Sequence, residues 1–293
     1  MPDRRFATVA IVGKPNVGKS TLLNALVGEK LAITSDKPQA TREPVVGILT
    51  RGDAQFVFVD QPGLMDPSYL LHEAMRRAAI SWVKQSDMIL YLHPAGIDEP
   101  PAFPSLVPEL RSVRQPVALV RSMADKMADE TADPEGDPPV FWVSARTRAG
   151  IEDILEWCHA QAPVRPWVYD DDDITSQPQR FFVTEFVREA AFELLGQELP
   201  YSLAAEVDEF REGSDPLYIR VTIYVERETQ KRMVIGKNGR KIKMLGASAR
   251  AKIEELFEQR VYLDLWVKTL PKWRSKPGAV ARFGFAGPDA SSI

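Results

Sequence analysis

Cysteine is almost absent from this chain. One residue, Cys158, in 293 excludes an intramolecular disulfide framework, and with no Cys or His cluster around it a buried structural thiol in a reducing compartment is expected. No apolar run approaches the ~20 residues needed to cross a bilayer. Residues 1–5, Met-Pro-Asp-Arg-Arg, lack the apolar stretch of a secretory signal. These absences predict a cytoplasmic protein. A hydrophobic content of 44% with 27% charged residues is ordinary for a soluble fold, and the length is enough for two separate cores.

Net charge is small overall but unevenly placed. The net charge is −4, yet residues 231–293 hold 14 Lys and Arg against 5 Asp and Glu, a local +9, so the preceding 230 residues carry −13. A basic C-terminal part on an acidic chain predicts a polyanion-binding surface.

Two glycine loops give that asymmetry a meaning. Gly13-Lys14-Pro15-Asn16-Val17-Gly18-Lys19-Ser20 fits the phosphate-cradling pattern GxxxxGK[ST]. It follows an apolar run at 6–12 and precedes a predicted helix at 19–26, so backbone N–H groups and a helix N-terminus face the phosphates. In this pattern Lys19 reaches the β- and γ-phosphates and Ser20 binds Mg²⁺. Gly236-Lys237-Asn238-Gly239 is a GXXG loop of the kind that clamps a nucleic-acid backbone, with Arg240, Lys241 and Lys243 adding charge. Ile235, Ile242 and Leu245 are expected beneath the bases, and Lys268, Lys272, Trp273, Arg274 and Lys276 to add charge and a stacking ring.

Strand and helix signals alternate through the first half. Runs at 45–49 and 56–59 flank Arg51-Gly52-Asp53 and predict an antiparallel hairpin. Runs at 88–92, 117–120 and 140–143 read as buried parallel strands, and 151–162 as an amphipathic helix. Prolines at 163, 166 and 178 and the acidic string 170–173 mark a solvated linker, placed at 166–179. Beyond it the order is helix 180–195, strands 201–210 and 217–225, helix 229–235, GXXG, helix 240–258 and strand 261–267. That order matches a type II KH domain. The expected architecture is therefore an α/β P-loop domain over 1–165, mostly parallel with helices on both faces, and an α+β KH domain over 180–293.

Asp60-Gln61-Pro62-Gly63 ends the second hairpin strand, where a carboxylate can hold Mg²⁺ through water and Gly63 can give its N–H to the γ-phosphate. Thr41 is the candidate switch threonine that closes on the metal. After 117–120 comes Ser122-Met123-Ala124-Asp125, which resembles in its Asp alone the Asn-Lys-x-Asp with which P-loop GTPases read guanine. A slipped reading ending at Asp129 recovers a Lys at 126 with one residue too many, so Asp125 is preferred. Ser144-Ala145-Arg146 resembles the second base loop of P-loop GTPases, which implies an Ala145 N–H aimed at guanine O6. Leu64 stands where Ras-like enzymes orient water with a glutamine, which predicts slow turnover.

The string 13–24 resembles translation-factor-class GTPases, and Lys37-Pro38-Gln39-Ala40-Thr41-Arg42 resembles switch I of the Era family. Gln197-Glu198-Leu199-Pro200-Tyr201-Ser202 and Leu263-Asp264-Leu265-Trp266-Val267-Lys268 are similar to C-terminal strings of the same family, over about residues 6–275. The resemblance implies a GTPase that assists small ribosomal subunit maturation by binding the 3′ end of its RNA, with GTP or GDP and Mg²⁺ in the loop. Nucleotide contacts are then expected from 13–20, Thr21, Asp60 to Leu64, Ser122 to Asp125, Ser144 and Ala145, with Ser20, Thr41 and Asp60 at the metal. Asn16 at its loop position implies a K⁺ ion, and Asn16, Lys19, Thr41 and Gly63 are the expected catalytic set. A monomeric state and a peripheral contact with the cytoplasmic face of the membrane also come from the resemblance. Two competing readings stand beside it. One is an RNA-binding adaptor with vestigial hydrolysis, disfavoured by the intact Thr41, Asp60 and Gly63. The other is an ATPase, disfavoured by Asp125.

Overall fold

The computed structural model describes residues 4–35, 37, 39–97, 99–127, 136–196 and 198–285. Pro38, Gln197 and Asp129 lie outside the described residues.

The first half builds β1 (Arg5–Gly13), α1 (Lys19–Val27), β2 (Val45–Arg51), β3 (Ala54–Asp60), α2 (Leu70–Gln85), β4 (Met88–Pro94), β5 (Val117–Ser122), β6 (Val140–Val143) and α3 (Ile151–Gln161). The strands form one sheet in the order β2-β3-β1-β4-β5-β6. Only β2 runs antiparallel to its neighbour. Alternation along β1 covers both faces: Val9 and Ile11 join the core of α1 and α3, while Ala10 and Val12 join that of Ala79 and Val83 on α2. β1 lies between β3 and β4, so the strand order reverses at its carboxyl end and a crevice opens there.

Helix α2 escapes a reading by short apolar runs because it faces two ways. Ala79 and Val83 pack on the sheet, whereas Leu71, Ala74 and Met75 pack with Trp273, Val280, Phe283 and Phe285 of the C-terminal end.

The second half builds α4 (Gln179–Leu194), β7 (Ala204–Arg211), β8 (Leu217–Val225), α5 (Glu228–Ile235), α6 (Arg240–Phe257), β9 (Val261–Thr269) and α7 (Pro277–Arg282). Its sheet has the order β7-β8-β9, with β8 and β9 parallel. Helix α4 packs on α6 and β7.

The segment between the domains is not a free spacer. β2 is an edge strand, and the Val46 and Ile48 amides need partners that no neighbouring strand supplies. Ile48 N–H donates to the Ile174 carbonyl at 2.8 Å, and Val46 N–H to Gln177 Oε1 at 2.8 Å. Gln55 accepts from the amides of Val168 and Tyr169 and donates to the Tyr169 carbonyl. The aspartates 170–173 turn outward, closed by an Asp173 N–H to Asp170 carbonyl bond of 3.2 Å. No helix among the described residues is long and apolar enough to cross a membrane.

Candidate nucleotide site and nucleic-acid loop

The loop after β1 occupies the crevice. Gly18, at φ 91°, caps α1, whose first residues are Lys19 and Ser20. The Lys19 ammonium donates to the Lys14 carbonyl at 2.9 Å and to the Gly13 carbonyl at 3.4 Å, spanning the concave side of the loop. Burial draws Lys19 down to about 8, against the attraction of Asp60. Gly63 presses on this loop: a Cβ there would lie 2.7 Å from the Pro15 backbone nitrogen, so only glycine permits the approach. The Leu64 N–H donates to the Gly13 carbonyl at 3.1 Å, and the Leu64 side chain is buried. Pro15, Asn16, Thr21, Gln39 and Thr41 line the cleft between loop and switch segment.

Three oxygens from three elements meet there. Ser20 Oγ donates to Asp60 Oδ2 at 2.5 Å, Ser20 Oγ and Thr41 Oγ1 are 2.9 Å apart, and Thr41 Oγ1 donates to Asp60 Oδ2 at 3.3 Å. Asp60 is fully buried, and among the described residues its Oδ1 has no partner. Burial pushes its carboxyl up to about 6, opposed by Lys19 and the two hydroxyls. Two hydroxyls and a carboxylate, all oxygen, suit a hard divalent cation such as Mg²⁺ that keeps water and phosphate as its other ligands. Asp60 and Lys19 are both short of counter-charge, which a cation and a triphosphate would supply.

Asp125 lies on the turn that follows β5. β5 ends at Ser122, Met123 turns through φ 60°, and Ala124–Lys126 form a 3-10 turn. Asp125 is exposed at that turn. Ser122 Oγ donates to the Val17 carbonyl at 2.7 Å, a brace between the base loop and the phosphate loop. The sequence pattern alone does not disclose this contact. The Met123 methyl lies beside Gly18, with 3.8 Å to a Cβ built there. The second base loop is closed by the Ser144 N–H to Ala149 carbonyl bond at 3.0 Å and by Thr147 N–H to Ser144 Oγ at 3.2 Å. Arg148 ties it to the Ala25 carbonyl of α1 at 2.7 Å. Gln61 is fully buried, and among the described residues its side-chain amide has no partner.

On the second domain the GXXG loop stands clear of the core. Gly239 has φ 74° and nothing within 4 Å of a Cβ, so its backbone conformation calls for glycine and its space is open to a ligand. Lys237, Asn238, Arg240, Lys241 and Lys243 are exposed around it, as are Lys268 and Lys272. An adjoining groove of about 290 Å³ runs between α6 and β9, lined by Ile242, Lys243, Gly246, Arg250, Leu263 and Leu265. The expected floor changes accordingly: Leu245 is fully buried in the core, and Leu263 and Leu265 take its place. Two further expectations fail. Trp273 is fully buried and its indole N–H donates to the Ser202 carbonyl at 2.8 Å, so it offers no stacking face. Arg274 is paired with Glu226 at 2.7 Å and lies over the Tyr69 ring, so it serves the fold and not a phosphate.

The described geometry has counterparts among known proteins. The family described as "50S ribosome-binding GTPase" matches residues 8–121, and the KH domain family matches residues 198–274. GTPase Era of Carboxydothermus hydrogenoformans is 38% identical over 287 residues, covering 94% of this chain and 96% of that protein. A single-site variant of Aquifex aeolicus Era bound to GDP and AlF4⁻ superimposes with a TM-score of 0.89 at 32% identity, covering 96% of this chain and 99% of that one. Era in complex with MgGDPNP and nucleotides 1506–1542 of 16S ribosomal RNA gives a TM-score of 0.89 at 33% identity, covering 97% and 99%. Identity of this extent, running through both domains and both glycine loops, places the chain in the Era family of GTPases.

Proposed function

We propose that the chain is a GTP-hydrolysing switch whose second domain binds the 3′ end of small-subunit ribosomal RNA during subunit assembly. The observation that carries it is the meeting of Ser20, Thr41 and Asp60 over the phosphate loop in a chain that also displays an exposed GXXG loop. The division proposed is 1–165 for the GTPase, 166–179 for the connecting segment and 180–293 for the RNA-binding domain.

Loop amides from Asn16 to Thr21 hold the phosphates, and Lys19 turns from the loop carbonyls to the β- and γ-oxygens. Ser20 and Thr41, through their hydroxyl oxygens, and Asp60, through water, would hold Mg²⁺, which would supply charge neutralisation to the phosphates. The Gly63 amide meets the γ-phosphate. Asp125 accepts from guanine, Met123 covers the ring, and the Ala145 amide meets O6. With a buried Leu64 where Ras-like enzymes carry a glutamine, that position offers no side chain to orient the attacking water, so unassisted turnover is slow. Asn16, in the left-handed region at φ 62°, is the proposed K⁺ contact. On the RNA side, Lys237, Arg240, Lys241 and Lys243 meet phosphates while the α6–β9 groove takes unstacked bases. A cytoplasmic monomer, meeting the membrane at most peripherally, completes the proposal.

A titration of a 3′-terminal small-subunit RNA fragment against the GTP-analogue, GDP and empty forms tests it. RNA affinity should differ between the first two, and the RNA should change GTP affinity by the same factor. Equal affinity in all three states would leave two independent modules and defeat the switch.

A further inference from the structure

The switch segment is held from the far side by the RNA-binding domain. Glu189 on α4 accepts from the Thr34 N–H at 3.2 Å, and the Lys37 ammonium donates to the carbonyls of Phe192 and Leu195, the latter at 2.8 Å. Those carbonyls belong to the last turn of α4 and its cap, where helices leave acceptors unmet. Arg42 donates to the carbonyls of Pro200, Tyr201 and Leu203 at 2.6–3.0 Å. Between these anchors, Arg188 Nη2 on α4 donates to the Ala40 carbonyl at 2.6 Å.

The last contact differs from the others in what it fixes. The Ala40 carbonyl and the Thr41 amide share one rigid peptide plane, so a donor on that oxygen sets the orientation from which Thr41 leaves the chain. Thr41 Oγ1 is the atom that lies 2.9 Å from Ser20 Oγ. Arg188 is buried and ion-paired with Glu185 on its own helix, with side-chain exposures of 4% and 2%. The pair has few alternative positions, and a charge-assisted bond in such surroundings is strong.

We infer that Arg188 is a positioning residue for the switch: α4 of the RNA-binding domain supports Thr41 in its closed place and so raises affinity for the triphosphate selectively. This rests on the reading of Thr41 as the residue that closes when the γ-phosphate is present. A diphosphate makes no use of Thr41 and gains nothing from the support.

The test uses the full chain without RNA, measuring Mg²⁺-dependent binding of GDPNP and of GDP. Arg188→Lys keeps the charge beside Glu185 but loses the forked donor that reaches Ala40. It should weaken GDPNP about tenfold, within the usual span of coupling between sites, raise the Mg²⁺ needed for GDPNP binding, and leave GDP within twofold. If this variant folds incompletely, the pair Glu185→Gln with Arg188→Gln removes both buried charges together and carries the same expectation. Thr41→Ala should erase the effect, so that adding Arg188→Lys to it costs nothing more. Equal losses for both nucleotides, no loss for either, or additive losses on the Thr41→Ala background would each overturn the inference. Because no RNA enters this assay, its outcome is separate from that of the RNA titration.

Discussion

Replacing Asp125 by asparagine tests the base-reading loop at its most exposed assumption. Guanine offers two donors on one edge, N1–H and the 2-amino group, and a carboxylate accepts both. Asparagine accepts from N1–H but turns its own N–H₂ toward the 2-amino group. Xanthine has a carbonyl at that position, which suits asparagine and repels aspartate. Asp125 is exposed on the 3-10 turn, so water competes for it until the base arrives, and the low end of charge-assisted bond strength applies. The bond to the 2-amino group is lost outright while that to N1–H is kept, so a loss of about 1.5 kcal/mol, roughly 12-fold in affinity, is the minimum expected. Asp125→Asn should weaken GTP by at least that factor and bind xanthosine triphosphate more tightly than GTP. Competition against a fluorescent guanine nucleotide, with both triphosphates titrated on both proteins, reads this directly. A variant that still prefers GTP would show that Asp125 does not read the base, and the slipped alignment through Asp129 would replace it.

Lys19→Ala should abolish triphosphate binding while leaving RNA binding by the GDP-free protein intact, as filter binding and nucleotide titration on one preparation would show; undiminished GTP hydrolysis would remove Lys19 from the site. Lys237→Asp with Asn238→Asp sets two carboxylates where phosphates approach, so RNA binding should fall at least tenfold and its salt dependence flatten, with basal GTP hydrolysis unchanged. Trp273→Ala empties a fully buried position that joins α2, α7 and Ser202. It should cost about 3–5 kcal/mol, seen as a lower denaturation midpoint, and RNA affinity measured well below that midpoint should hold, since the ring is not on the surface.

Much of the fold was legible because its signals are local. Apolar runs bounded by turn residues locate every strand of the first sheet, and the spacing of Gly13, Gly18 and Lys19 places the phosphate loop. The same held for the α-β-β-α-α-β order around Gly236 and Gly239. Asp125 is preferred over the slipped reading on strand length; it lies on the turn after β5, while Asp129 lies outside the described residues.

What the sequence by itself determined, then, is which elements form and which loops can meet phosphate, since both depend on near neighbours in the chain and on residue chemistry. The tertiary structure decided which groups come together across distance. Trp273 reads as a stacking ring until the chain folds it beneath α2, and Arg274 as a phosphate contact until Glu226 claims it. The connecting segment reads as solvated until β2 is seen to be an edge strand with amides to satisfy. Arg188 lies 147 residues after Thr41, and nothing in either neighbourhood marks them as partners. Their link exists because burial of α4 against the switch leaves an arginine that needs acceptors and a carbonyl that needs a donor.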